Sequence, residues 1–283
     1  MTVVLALVAG LAAAIVLERT THAIFDQPVL SRENYRGARL ATASGVLIVV
    51  AVIAVEGART IIELLGASDG ATARYRLVVL ATVVAFGALG FIDDVLGDNA
   101  EKGLKGHVTA ALRGRVTTGF IKLGGGASVA LVVAGAALGG SAGRIVVDAA
   151  LIALAANMGN LFDRAPGRTI KVGLLAWVPI ALLAGTSATG LALAVVIGAA
   201  VGLLPSDLAE RSMLGDTGAN ALGAALGVAV VLTVSPTSRT IIAVVLVALT
   251  LASEVVSFSS VIARVPPLRA IDRLGRRPEE PPT

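Results

Sequence analysis

The chain contains no cysteine and only two histidines, His22 and His107. These shortages exclude a thiol nucleophile, a disulfide frame, a thiolate metal site and a histidine cluster. Any metal chemistry must use oxygen ligands, which suits Mg²⁺ or Ca²⁺ better than Zn²⁺. Aromatic residues make up 3% of the sequence, too few for a strong Trp/Tyr belt at a membrane interface. Charged residues are also scarce, at 15%. The net charge of +4 is accounted for by where the basic residues fall along the chain, and it implies no nucleic-acid partner.

What fills the sequence is Ala, Val, Leu, Ile and Gly. Hydrophobic residues reach 56%, with 32 Gly in addition, and the mean hydropathy is +0.88. One water-soluble core cannot bury that excess, whereas helices whose outer faces meet lipid can carry it. Small residues let such helices approach closely, and GxxxG pairs such as Gly223 with Gly227 are present.

The apolar runs predict nine spans: Thr2–Leu17, Leu40–Val55, Leu77–Ile92, Gly124–Gly139, Ile145–Leu161, Val172–Leu183, Ala188–Leu204, Ala219–Val234 and Ile241–Val256. The sixth is the weakest, being short and interrupted by Pro179. The first has no early basic residue and no small-residue cleavage site before Glu18, and reads as a retained span. With the N-terminus outside, 18 of the 23 Lys and Arg fall on the cytoplasmic side. The other five are Arg59, Arg74, Arg76, Arg144 and Arg239. The expected fold is therefore an all-α, polytopic transmembrane helix bundle of nine spans with a cytoplasmic C-terminus. Residues 1–256 form one transmembrane domain and 257–283 a basic cytoplasmic tail, with disordered last residues and an Arg cluster suited to anionic headgroups.

This orientation puts four polar clusters on one membrane face. GFIDDVLGD (90–98) places the adjacent carboxylates Asp93 and Asp94 at the inner end of an apolar helix, where a cation beside them would relieve their repulsion. NMGNLFDR (157–164) sets Asn157, Asn160 and Asp163 three apart, one slowly drifting stripe on a helix. The following PGRTIK adds Arg168 and Lys171 as candidate anion binders. MLGDTGANALGAALG (213–227) puts Asp216 and Thr217 at a helix start, where free backbone N–H groups favour an anion. EKGLKGH (101–107) and RGRVTTGFIKLGGG (113–126) form a basic, Gly-rich loop in which Lys105, Arg113, Arg115 and Lys122 can offset phosphate charge. Taken singly, each cluster also fits a blander reading: a solvated helix end, interhelical hydrogen bonds, an ordinary cap or positive-inside bias. Together they suggest a Mg²⁺–phosphate site.

The order GFIDD, NxxNLxD, MLGDTGxxALG resembles the polyprenyl-phosphate N-acetylhexosaminyl-1-phosphate transferase family across residues 30–230. The resemblance implies a multi-pass plasma-membrane enzyme with its active site facing the cytoplasm. Such an enzyme transfers a sugar 1-phosphate from a UDP-sugar to polyprenyl phosphate, releasing UMP, in cell-envelope glycan synthesis. It implies Mg²⁺ as cofactor, with Asp94 and Asp216 as metal ligands and Asp93, Asp94 and Asp163 as catalytic residues. Lys105, Asn157, Asn160, Arg168 and Lys171 would bind substrate. Polyprenyl phosphate, a UDP-sugar and the bilayer are the implied partners, and a homodimer is the expected assembly. The chain departs from the family pattern in three places. VSFSSVIARVPPLRAIDRLGRR carries no His where the family has a His-rich motif, RAPGR replaces a DGLDG-like stretch, and there is no tenth span. Two other readings stay open at this point. One is a non-catalytic descendant that binds lipid-linked intermediates or envelope proteins. The other, less favoured, is a small-solute transporter, which would place its polar residues nearer the midplane.

Overall fold

The computed structural model describes residues 2–66, 73–97 and 116–278, besides Thr109 and Gly114. Among these, nine helices of 17 to 24 residues make up the body of the molecule. They are α1 Val3–Thr21, α2 Val46–Leu64, α3 Ala73–Leu96, α4 Thr118–Leu138, α5 Ala142–Phe162, α6 Arg168–Ala184, α7 Ala188–Leu208, α8 Gly215–Thr233 and α9 Pro236–Ser253. Seven are long and apolar enough to cross a membrane. The other two are α2, which carries Glu56, Arg59 and Glu63, and α6, which has 17 residues and an internal Pro179.

Helices α7 and α8 form the centre. Helix α1 packs along α7, and α8 is flanked by α3, α5 and α6. Small residues permit this. Gly223 and Gly227, the GxxxG pair, face the backbone of α5 at Ala155, Ala156 and Ile152, where a Cβ would collide. On the outside, α9 leaves Ile241, Val244 and Leu251 exposed, an apolar face suited to lipid.

The second span differs from its predicted limits. The apolar run began at Leu40, but Arg39–Ala41 pairs antiparallel with Ser31–Glu33 as a two-stranded hairpin, β1 (31–33) and β2 (39–41). The helix instead starts at Val46 and runs on to Leu64 through three charged residues. Those charges are accommodated because Arg76 of α3, 3% exposed, donates to Glu56 at 2.9 Å and to Glu63 at 3.0 Å. The same holds for every Arg assigned to the far side. Arg59 pairs with Glu63, Arg144 and Arg239 both pair with the buried Asp148, and Arg74 donates to the Ala136 carbonyl. Each of these positive charges thus has a partner within the fold.

The C-terminal tail folds back on the body as α10 (Phe258–Arg264) and α11 (Pro266–Arg273). Asp272 is held by Arg168 at 2.8 Å and by Arg276 at 2.5 Å. Lys171 donates to the carbonyls of Ile271, Asp272 and Leu274 and so caps the end of α11. Burial pushes the Asp272 carboxyl up, but the hydrogen bond and charge of Arg168, with Arg276 and Lys171, outweigh it and hold it below the usual carboxylate range. Phe258 stacks on Phe162 at 5.5 Å between ring centres. The part of the tail within the described residues is thus docked, and its bases bind protein groups as well as facing solvent. Asp272→Ala should release it. Losing these charge-assisted bonds costs about 2 kcal/mol, so amide exchange over 266–277 should quicken by more than about tenfold, with little change in the exchange of α7 and α8. Unchanged exchange in the tail would show that apolar packing alone holds it.

Candidate active site

One end of the bundle gathers the ends of α3, α4, α5 and α8. Helix α3 reaches this end at Asp93 and Asp94, α4 begins there, α5 ends at Asn160–Phe162, and α8 starts at Gly215. The segment before α8 is fixed by the hairpin: Met213 N–H donates to the Ala41 carbonyl at 2.7 Å, and Ser44 returns two bonds to the Met213 carbonyl. Arg32 of β1 donates to the Asp94 and Val95 carbonyls at 3.0 and 3.1 Å, closing the C-terminal end of α3. Two glycines make the approach possible. A Cβ on Gly90 would strike the Asp216 carbonyl, and Gly215, at φ +71°, would press one against the Asp94 carboxylate.

At the centre stands Lys122, one turn into α4. Its ammonium lies 2.7 Å from Asp93 Oδ2 and 2.5 Å from Asp216 Oδ2. With the Asn160 amide turned to satisfy both its neighbours, its oxygen accepts from Lys122 Nζ at 3.1 Å and its nitrogen donates to Asp216 Oδ1. Asp93, Asn160 and Asp216 come from three separate stretches of sequence and converge on one cation position. The three groups remain partly open, with Asp93, Asp216 and Lys122 side chains 18%, 23% and 19% exposed.

Asp94 does something different. Its Oδ1 accepts from the Asp216 N–H at 2.9 Å, and its Oδ2 from the Thr217 N–H at 2.9 Å and hydroxyl at 2.6 Å. Both oxygens are therefore engaged by the first turn of α8. Asp94 acts as an N-cap contributed by another helix, and its charge complements the positive helix end.

Asp163, just beyond α5, is half-buried at the edge of this group. Burial, followed by the carboxylates of Asp207, Asp216 and Asp94, pushes its carboxyl well above the usual range. It opens on a polar cavity of about 330 Å³ shared with Asp207, Glu210, Arg164 and Tyr35. Asn157 donates to Thr250 of α9 at 3.5 Å and lines a small cavity behind Lys122. Arg168 and Lys171, expected to bind substrate, are instead engaged by the tail: Arg168 is 6% exposed, with its guanidinium on Asp272 and Ser259. Lys105 lies outside the described residues.

The sequence sets Lys122 among loop bases suited to offset phosphate charge, whereas the fold sets it against the carboxylates of Asp93 and Asp216. The usable signal was a lysine inside an apolar helix, which is costly without a partner. Thr217 was marked only as a residue at the start of its helix, and the structural Asp207, which accepts from the Gly167 N–H at 2.8 Å, had no assigned role.

The fold and this site define a class: a multi-pass helical membrane protein with a carboxylate–amide–lysine cluster at one end of its bundle. Within that class, the chain is 33% identical over 178 residues to phospho-N-acetylmuramoyl-pentapeptide-transferase of Desulforudis audaxviator (strain MP104C), a stretch covering 56% of this chain and 53% of that protein. The chain thus spans about half the length of this curated relative. The resemblance read from the three motifs is matched by this relative, and no family model matches the chain.

Proposed function

We propose that this chain is a membrane phosphoglycosyl transferase that moves an N-acetylhexosamine-type sugar 1-phosphate from a UDP-sugar to polyprenyl phosphate, releasing UMP on the cytoplasmic side of the plasma membrane. The observation that carries this reading is the convergence of Asp93, Asn160 and Asp216 on one cation position at a helix end. In the reaction, an oxygen of the lipid phosphate forms a new bond to the phosphorus bearing the sugar. The bond from that phosphorus to the bridging oxygen breaks, and UMP leaves with that oxygen.

Mg²⁺ fits the residues present. No cluster of three or more His, Cys, Asp or Glu that could hold a metal occurs among the described residues. A pair of carboxylates beside an amide suits an ion that completes its shell with water and phosphate oxygens. Asp93 and Asp216 would hold it. Asp94 has both oxygens on the start of α8, so of the two metal ligands implied by the resemblance Asp216 is the better placed. Bound Mg²⁺ would offset the repulsion between the two substrates' phosphates. Asn160 orients Asp216, and Asp94 fixes the turn that presents it. Asp163, with its raised carboxyl, is suited to hold a proton taken from the lipid phosphate.

A cavity of about 460 Å³ between α5, α6, α8 and α9 supports a lipid acceptor. Its lining is almost wholly apolar, including Ala155, Phe162, Val172, Leu226, Leu246 and Leu249. It runs along the bundle toward Gly159 and Thr169, near the site. The polar cavity at Asp163 would admit the nucleotide sugar from water. The engagement of Arg168 and Lys171 by the tail favours a second reading, a protein that binds polyprenyl phosphate without turnover.

The test is UMP production by purified protein with polyprenyl phosphate, Mg²⁺ and a panel of UDP-sugars. Asp216→Asn should lower release by about a hundredfold or more, the scale set by losing a preorganised charge in a transition state. Release that is unaffected by Asp216→Asn would overturn the assignment. Tight lipid binding with no turnover on any sugar would favour the second reading.

A further inference from the structure

We propose that Lys122 is a resident counter-cation of the Asp93–Asp216 pair, and that a divalent cation takes the pair only by displacing it. This rests on the Mg²⁺ reading above and deepens it. The three donors of the ammonium meet three oxygens, on Asp93, Asp216 and Asn160. These are oxygen ligands around a single centre, the arrangement a small divalent ion would need. Mg²⁺ sits at about 2.0–2.1 Å from its ligands, inside the 2.5–2.7 Å that the ammonium keeps from the carboxylates. The ammonium nitrogen and a metal ion cannot both occupy this one centre between the three oxygens.

The local structure lets the ammonium leave. Lysine carries its charge on a flexible four-carbon stem, and the side chain is partly open. Behind it lies a cavity of about 60 Å³ lined by Asn157, Asn160 and Asn220 among others. Asn220 is 4% exposed, and its amide nitrogen, a donor, has no partner among the described residues, so it invites an acceptor such as a phosphate oxygen. An ammonium moved off the carboxylates would need the amide oxygens of this cavity on one side and incoming phosphate oxygens on the other. In the resting protein Lys122 keeps two facing carboxylates from repelling each other. Once a divalent ion replaces it, the site gains net positive charge, which favours the phosphates. Cation exchange would then couple metal entry to substrate entry.

The experiment measures Mn²⁺ binding to the purified full chain in detergent, without lipid or nucleotide, from the electron paramagnetic resonance signal of free Mn²⁺. Lys122→Met and Lys122→Gln should each bind Mn²⁺ at least about tenfold more tightly than the unaltered protein. Lys122→Arg, which keeps a cation in place, should bind as weakly as the unaltered protein. Adding Asp216→Asn to Lys122→Met should abolish the gain. If neither neutral variant binds more tightly while both melt at the unaltered temperature, or if either binds more weakly, the exchange is overturned. Tightening in a protein that turns over no UDP-sugar would sink the transferase reading and leave the exchange standing. Turnover without tightening would do the reverse.

Discussion

Asp94→Ala is expected to lower both the thermal unfolding midpoint and UMP release, whereas Asp216→Asn should lower release alone. The distinction follows from what each carboxylate touches. Asp94 receives three bonds from the first turn of α8: two backbone N–H groups and the Thr217 hydroxyl. Removing it strands these donors at a partly buried helix start. Each unsatisfied group costs about 1–3 kcal/mol, so a total of about 3 kcal/mol or more is expected. The same turn carries Asp216, and displacement of a catalytic group by about 1 Å costs on the order of a hundredfold in rate. Asp94→Asn should be intermediate, since its amide oxygen can accept but its NH₂ faces N–H donors. Asp216 instead presents its side chain to Lys122 and Asn160 at the open end of the site, and its loss leaves the cap intact. If Asp94→Ala melts at the unaltered temperature yet loses all release, Asp94 takes part in the chemistry directly, and its role as a positioning residue falls.

Much of this arrangement was legible in the sequence, for physical reasons. Apolar runs marked all nine long helices among the described residues because a helix that packs against lipid or against other apolar helices has few ways to vary its composition. The site was legible where a polar group interrupts such a run at a helix end: Asp93, Asn160 and Asp216 met as their motifs suggested. What escaped was long-range pairing. Lys122 lay among loop bases that topology already explained, and only the fold brings it between carboxylates 29 and 94 residues away. Arg168 and Lys171 were reasonable anion binders by composition, but their anionic and carbonyl partners come from the tail, about a hundred residues downstream. Asp93 and Asp94 are neighbours of the same chemistry, and nothing in their spacing tells a cation-facing carboxylate from a helix cap.

The start of α2 shows the same limit from the other direction. Glu56, Arg59 and Glu63 ended the apolar run, so the span was placed too early, while the chain continues the helix through them and neutralises them against α3. This gives the second large expected effect. Arg76→Met should lower the unfolding midpoint sharply, because removing one partner of a buried ion pair costs about 3–5 kcal/mol. Arg76 is the shared partner: it binds Glu56, itself 4% exposed, and Glu63. Glu56 Oε1 already lacks a hydrogen-bond partner among the described residues. Glu56→Leu with Arg76→Met should recover a large part of the loss, since replacing both partners by apolar groups removes the uncompensated charge. The measurement is a double-mutant cycle on the unfolding midpoint in detergent. A midpoint for Arg76→Met within a degree or two of the unaltered protein would show that the cluster is solvated and does not lock α2 to α3. The lock matters beyond stability, because α3 carries this ion cluster near one end and Asp93 and Asp94 at the other. A loosened α2–α3 contact should therefore reach the site as a lower rate of UMP release even in protein that remains folded.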